Sequence, residues 1–304
     1  MIESQVKSSA QVSDPLKPWL DRITIVMVRT SHPGNIGSAA RAMKTMGLTD
    51  LRLVSPDTFP SEEANWLASG ATDVLECASV FESLSDALAD VALVIGTSAR
   101  SRRIPTPEQA PDACAALASR VPAGQRVAIL FGREASGLDN AALDLCHYHL
   151  SIPGNPDYSV LNVAMAIQIV CYEMRKMAER SGSLLSQDPE KLASASFDDQ
   201  VGCDTVQQAL EMHGNSEDGE ASGPLAMPIP SVQWDVPLAS HQDTERFLAH
   251  LNETLIGLRF INPKNPRQAM RRFRRLFQRI HMDEMEVNLL RGLLTAVDKR
   301  LLEK

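Results

Sequence analysis

The 304-residue chain lacks most of the features that would place it in a membrane or outside the cell. No apolar run approaches the roughly 20 residues that a spanning helix needs. The opening MIESQVKSSAQVSDP is polar where a secretory leader would be apolar. Cys77, Cys114, Cys146, Cys171 and Cys203 are odd in number, scattered and without a Cys-x-x-Cys pair, which argues against a disulfide framework or a zinc site. The expectation is a cytoplasmic protein with reduced, mostly buried thiols and no metal. Two nucleotide-binding signatures are also missing, the Gly-x-Gly-x-x-Gly fingerprint and the Gly-x-x-x-x-Gly-Lys-Ser/Thr phosphate loop. Positive charge is short as well, 30 Lys and Arg against 38 Asp and Glu, a balance of -8 that looks wrong for a nucleic-acid binder.

That balance hides local patches. Residues 181–232 hold nine acidic residues and one basic, Lys191, among Ser, Gly and Pro, and read as a flexible linker. Between Arg259 and His281 lie eight Lys or Arg and no acidic residue. Such a run is either a solvated helix face or a polyanion surface. In an acidic protein the imbalance favours the second, because phosphate contacts gain from counterion release. Phe273 and Phe277, four apart, read as core packing rather than base-stacking residues.

Ahead of the linker, strand-like and helix-like stretches alternate, which predicts a mostly parallel α/β sheet. Ile23–Val28, Val91–Thr97 and Val127–Phe131 are continuous apolar runs of the kind buried on both faces of such a sheet. Leu51–Val54 reads as a shorter strand, Val74–Glu76 as a weak one, and His147–Ile152 as an alternating one. Helical periodicity covers residues 62–70, 79–89 and 110–121, and a helix opening at Ile36 closes at Gly47. After the linker, His241–Leu258, Pro266–His281 and Met282–Leu302 read as helices.

Two strands end in loops rich in Gly or Pro: GREASG after Phe131, and PGNPDYS after Ile152. Open α/β sheets place ligands at such ends, and a glycine there lets backbone approach a small molecule closely. On patterning alone these are either a ligand site or ordinary turns. Arg41 is likewise either a solvated helix arginine or a site residue, and Arg133 beside Glu134 could be a local ion pair alone.

Three segments, VRTSHPGNIGSAARAMKTMGL, FGREASGL and IPGNPDYSVLNVAMA, resemble the three signature motifs of the SPOUT RNA methyltransferases. They occur in the expected order across residues 22–180. Among these enzymes the chain is most similar to bacterial tRNA 2'-O-methyltransferases that act on nucleotide 32 of the anticodon loop. The resemblance implies a deep trefoil knot made by a final helix from Ser159 to about Arg180, S-adenosylmethionine as methyl donor, tRNA as substrate, and a homodimer with the active site at its interface. It places Asn35, Arg41, Glu134 and Asn162 in the catalytic pocket. Thr97, Ser98, Ala99, Gly132, Ile152, Ser159, Val160 and Leu161 then face the donor. Arg100, Arg102, Arg103 and Arg133, with Arg271, Arg272, Arg274 and Arg275 of the basic run, contact RNA.

One position departs from the motif. Many relatives have serine directly before Leu-Asn, where this chain has Val160, with Ser159 one residue earlier. Backbone contacts survive the change, whereas a role for a serine hydroxyl there does not carry over. The implied organisation is an N-terminal arm (1–20), a methyltransferase domain (21–180), the linker (181–232) and a helical tRNA-binding domain (233–304). The alternatives are a tRNA-binding protein of this fold without turnover, and methylation of a base rather than a ribose.

Overall fold

The structure, a computed structural model, describes residues 14–98, 108–155, 157, 160–185, 236–263 and 268–302. Its first part follows the order α1 (Lys17–Leu20), β1 (Ile23–Val28), α2 (Pro33–Thr45), β2 (Asp50–Val54), α3 (Glu62–Ala68), α4 (Thr72–Glu76), β3 (Ser79–Phe81) and α5 (Leu84–Ala87). It continues through β4 (Val91–Thr97), β5 (Glu108–Gln109), α6 (Pro111–Arg120), β6 (Arg126–Phe131), α7 (Asn140–Asp144), β7 (Tyr148–Leu150) and α8 (Val163–Leu185). Three further helices are α9 (His241–Gly257), α10 (Ala269–Ile280) and α11 (Glu284–Leu302).

The strands form one sheet in the order β3-β2-β1-β6-β4-β7-β5, every pair parallel. All strand C-termini therefore open on the same edge. Because strand side chains alternate between faces, Ile25, Met27, Ile129 and Phe131 join the larger core with α2, α6 and α8, while Val26, Val94, Ala128 and Leu130 join the core on the other face. Alternation is invisible in the sequence because both faces are covered.

α2 shows how local chemistry sets the packing. Pro33 occupies its first turn, and Ile36, Ala39, Ala40 and Met43 form its buried stripe. Gly37 lets α3 come close, since a Cβ there would lie 2.0 Å from the carbonyl oxygen of Ala64. Gly47 ends the turn at φ 83°, a backbone region where glycine avoids the Cβ penalty.

Some sequence expectations need correction. Val74–Glu76 belongs to α4, because Val74 and Leu75 are buried on the inner face of a short amphipathic turn. The strand beside β2 is instead Ser79–Phe81, so the helix expected over 79–89 shrinks to Leu84–Ala87. Residues 14–20 pack onto the domain rather than forming part of a loose arm: Leu20 is fully buried, and Asp14 pairs with Arg175 on α8 at 2.9 Å. Of the segment expected as a linker, residues 181–185 continue α8, and 186–232 lie outside the described residues.

The three C-terminal helices bury Phe247, Leu248, Leu251, Met282, Val287 and Leu294, with Phe273 and Phe277 packed against them. Phe277 meets Phe247 edge-on at 4.7 Å. This unit docks at the N-terminal edge of the sheet. The Gln125 amide donates to the Leu238 carbonyl (2.7 Å) and accepts from its N–H (3.3 Å). His281 stacks on His147, with ring centroids 5.4 Å apart, and its Nε2 lies 3.3 Å from the Tyr148 hydroxyl.

Candidate active site

Three loops converge at the C-terminal edge of the sheet, after β1, β6 and β7. This is the point where strand order runs outward in both directions, with β2 on one side of β1 and β6 on the other; open α/β sheets bind ligands in the crevice there.

Glu134 ties the loops together. Its Oε2 accepts from the Ser31 N–H (3.1 Å) and hydroxyl (2.7 Å), and its Oε1 accepts from Asn35 Nδ2 (2.8 Å) and the His32 N–H (3.4 Å). Partial burial by itself would raise this carboxyl's pKa, but the hydrogen bonds from Asn35 and Ser31 outweigh it and hold the pKa down at about 2. Glu134 is therefore an anion that fixes the β1–α2 loop, and a poor proton acceptor at neutral pH. Asn162 extends the chain of bonds. It caps α8 by accepting from the Ala164 N–H at 2.8 Å, and its Nδ2 donates to Asn35 Oδ1 at 3.0 Å.

Beside this chain lies a cavity of about 390 Å³, within the range of small-molecule sites. Thr97, Ser98, Gly132, Ile152, Val160, Leu161, Arg133, Glu134 and Asn162 line it, together with Phe131, Leu138, Leu150, Val163 and Ala166. Its wall after β6 is a tight turn in which the Gly137 N–H donates to the Arg133 carbonyl at 2.7 Å with Gly137 at φ 68°. A Cβ on Gly132 would lie 2.1 Å from backbone atoms of Gly137 and Leu138. The turn closes only around a glycine.

The structure thus brings together nine of the expected site residues around one cavity, with Asn35 bonded to two of them. Arg41 stands apart: it is exposed on α2, does not line the cavity, and its guanidinium has no partner among the described residues. Ala99, Arg100, Arg102, Arg103 and Ser159 lie outside the described residues. Arg133 pairs with Asp57 at 2.7 Å, and Arg271 and Arg274 pair with Asp144 and Glu245. Ser31, with two donors on Glu134, was not singled out from sequence; its place in a loop of turn formers was the one available signal. Val160, which carries no hydroxyl, lines the cavity and is 72% exposed as a residue.

Comparison with known proteins agrees with this geometry. The SpoU rRNA Methylase family matches residues 22–172, and the C-terminal domain of the tRNA methyltransferase TrmJ matches residues 242–304. The tRNA (cytidine/uridine-2'-O-)-methyltransferase TrmJ of Cronobacter sakazakii is 41% identical over 285 residues, 94% of this chain and 99% of its own. The tRNA (cytidine/uridine/adenosine-2'-O-)-methyltransferase TrmJ of Pseudomonas aeruginosa is 40% identical over 281 residues, 92% of this chain and 95% of its own. Among solved structures, TrmJ from Z. mobilis superposes with a TM-score of 0.67 at 29% identity, covering 90% of this chain and 98% of that one. Matched along nearly its whole length, the chain belongs to the SpoU (SPOUT) RNA methyltransferase family, among relatives of the TrmJ type.

Proposed function

We propose that this protein methylates the ribose 2'-oxygen of nucleotide 32 in the tRNA anticodon loop, using S-adenosylmethionine, as a cytoplasmic homodimer. The observation that carries the reading is the hydrogen-bonded chain Glu134–Asn35–Asn162 beside a cavity with a glycine-built wall, in a chain about 40% identical to TrmJ tRNA 2'-O-methyltransferases.

The cavity suits the donor. Its volume accommodates a nucleoside, and the turn that closes around Gly132 sets the backbone of residues 132–138 along the cavity wall, where main-chain groups would meet adenosine edges. Gly132, Ile152, Val160 and Leu161 would hold the donor through backbone and apolar contact, with Thr97 and Ser98 at the strand end beneath. Bound there, S-adenosylmethionine supplies a methyl group on a sulfonium sulfur that departs as a neutral thioether. Ala99 and Ser159 would complete the same wall, and Arg100, Arg102, Arg103 and Arg133 would take RNA phosphates.

A 2'-hydroxyl is a weak nucleophile and must be acidified and aligned. Arg41 suits the first task through its charge. It stays protonated and so is not an ordinary base, but beside the ribose and its phosphate it lowers the cost of the developing oxyanion. Its exposure and its absence from the lining of its own protomer's cavity support a partner protomer as the recipient, with the active site formed across the dimer interface. Asn35 and Asn162 shape the pocket, and Glu134 holds both loops in place. α8, running between α2 and α6 after the β7 loop, is the segment that would be threaded in a trefoil knot.

Residues 21–180 would then be the methyltransferase domain and 233–304 a tRNA-holding domain, joined by the acidic segment. The test is a digest of tRNA incubated with the protein and labelled donor. Ribose methylation leaves nuclease-resistant 2'-O-methylated dinucleotides carrying the label; a label released entirely in single nucleotides overturns the ribose assignment.

A further inference from the structure

α10 carries arginines on two adjacent stripes, each with the i, i+3, i+7 spacing of one helix face. Residues 271, 274 and 278 make one stripe, and 272, 275 and 279 make the other. The first is fully occupied within the chain. Arg271 pairs with Asp144 of α7 at 2.6 Å, Gln278 donates to the Asp144 carbonyl at 3.0 Å, and Arg274 forks onto both carboxylate oxygens of Glu245 in α9. The second has no such partners. The guanidiniums of exposed Arg272 and Arg279 have no hydrogen bond or ion pair among the described residues, and half-buried Arg275 leaves its Nε unpartnered. No acidic residue lies between Arg259 and His281, although the chain as a whole carries -8.

We propose that the two stripes have separate tasks: Arg271 and Arg274 fasten the helical unit in place, and Arg272, Arg275 and Arg279 bind the phosphate backbone of the RNA substrate. This rests on the tRNA reading above and assigns it to particular side chains. The free stripe is about 10 Å long from Arg272 to Arg279 at 1.5 Å rise per residue. A side chain already paired to a carboxylate must give up that pair before taking a phosphate, and the gain from counterion release shrinks accordingly. Unpaired guanidiniums have no such competitor, and they can take a phosphate in two-pronged geometry. Phe273 and Phe277, on the side of the helix away from both stripes, pack against the helical core, so the helix presents charge outward and anchors itself inward.

The test uses the full chain with unmodified tRNA and follows affinity as a function of salt. Arg272→Gln with Arg279→Gln, both at exposed positions, should lower the slope of log K against log salt by about 1.4 to 1.8, since each phosphate contact contributes about 0.7 to 0.9. Adding Arg275→Gln should lower it by about one more. Donor affinity and thermal midpoint should stay at wild-type values. Arg271→Gln with Arg274→Gln should lower the thermal midpoint while leaving the salt slope of the folded protein unchanged. An unchanged slope in the first variants, or a slope lost in the second, overturns the division, as does a shift in oligomeric state with tRNA binding intact, which would make the stripe with exposed Leu276 and Ile280 a protein contact. A wild-type chain that binds no tRNA would overturn the substrate reading along with it.

Discussion

Asn162 and Asn35, 127 positions apart in the chain, are joined by a 3.0 Å hydrogen bond from Nδ2 to Oδ1. The same Asn162 side chain starts α8, and the same Asn35 side chain donates to Glu134. Three loops from three strand ends are thereby locked by two amides and one carboxylate. Glu134→Gln keeps the shape but faces the donors of Ser31 and Asn35 with an amide. We predict a loss in kcat on the order of 10²-fold, the usual scale for misplacing reacting groups by about 1 Å, with donor affinity within a few-fold of wild type. Single-turnover kinetics beside donor calorimetry check this.

The placement of Arg41 makes a prediction about mixed dimers. Arg41→Ala alone should abolish methylation and leave donor binding intact. A purified heterodimer of an Arg41→Ala protomer and a Gly132→Val protomer, tagged differently, holds one site with both parts intact if the site is shared across a two-fold axis, and should recover about half the wild-type activity. A site contained in one protomer predicts none.

Two glycines separate binding from stability. Gly132→Ala puts a methyl 2.1 Å from backbone that cannot yield without opening the turn, so donor binding should be lost while the fold persists. Gly37→Ala meets the Ala64 carbonyl at 2.0 Å between packed helices. It should cost about 1–3 kcal/mol in overpacking, read by denaturant unfolding, with donor binding unchanged in the folded fraction.

The histidine contact between the two units predicts an acid response. Burial lowers the pKa of His281 to about 4, and burial with the nearby His281 and His241 lowers that of His147 well below its ordinary value. Both pKa values lie below the roughly 6.5 of the unfolded chain. The stability they confer is full above pH ~6.5 and is lost as pH falls toward ~4, because only the unfolded state takes up the protons there. His281→Asn, which tolerates the left-handed backbone at φ 47°, should flatten the fall in thermal midpoint over that window.

Much of the fold was legible where a strand is buried on both faces. Ile23–Val28, Val91–Thr97 and Val127–Phe131 announce themselves as apolar runs because nothing polar fits there. Ser79–Phe81 and Glu108–Gln109 did not, since short edge strands owe their pairing to a neighbour and not to their own composition. Val74–Glu76 misled because two apolar residues side by side suit a strand or a short buried turn equally. At the site, Gly132 and the loop after β6 could be read from turn chemistry. The pairing of Asn35 with Asn162, and of Arg133 with Asp57, could not, because hydrogen bonds across 127 and 76 positions leave no local pattern.

The most direct test of the central claim is mass spectrometry of a defined, unmodified tRNA after incubation with the protein and isotope-labelled S-adenosylmethionine. The account predicts label on a 2'-O-methyl nucleoside that maps to nucleotide 32 and disappears with Arg41→Ala. Label on a base, or no label while calorimetry still shows donor binding to the folded protein in the presence of tRNA, would contradict it.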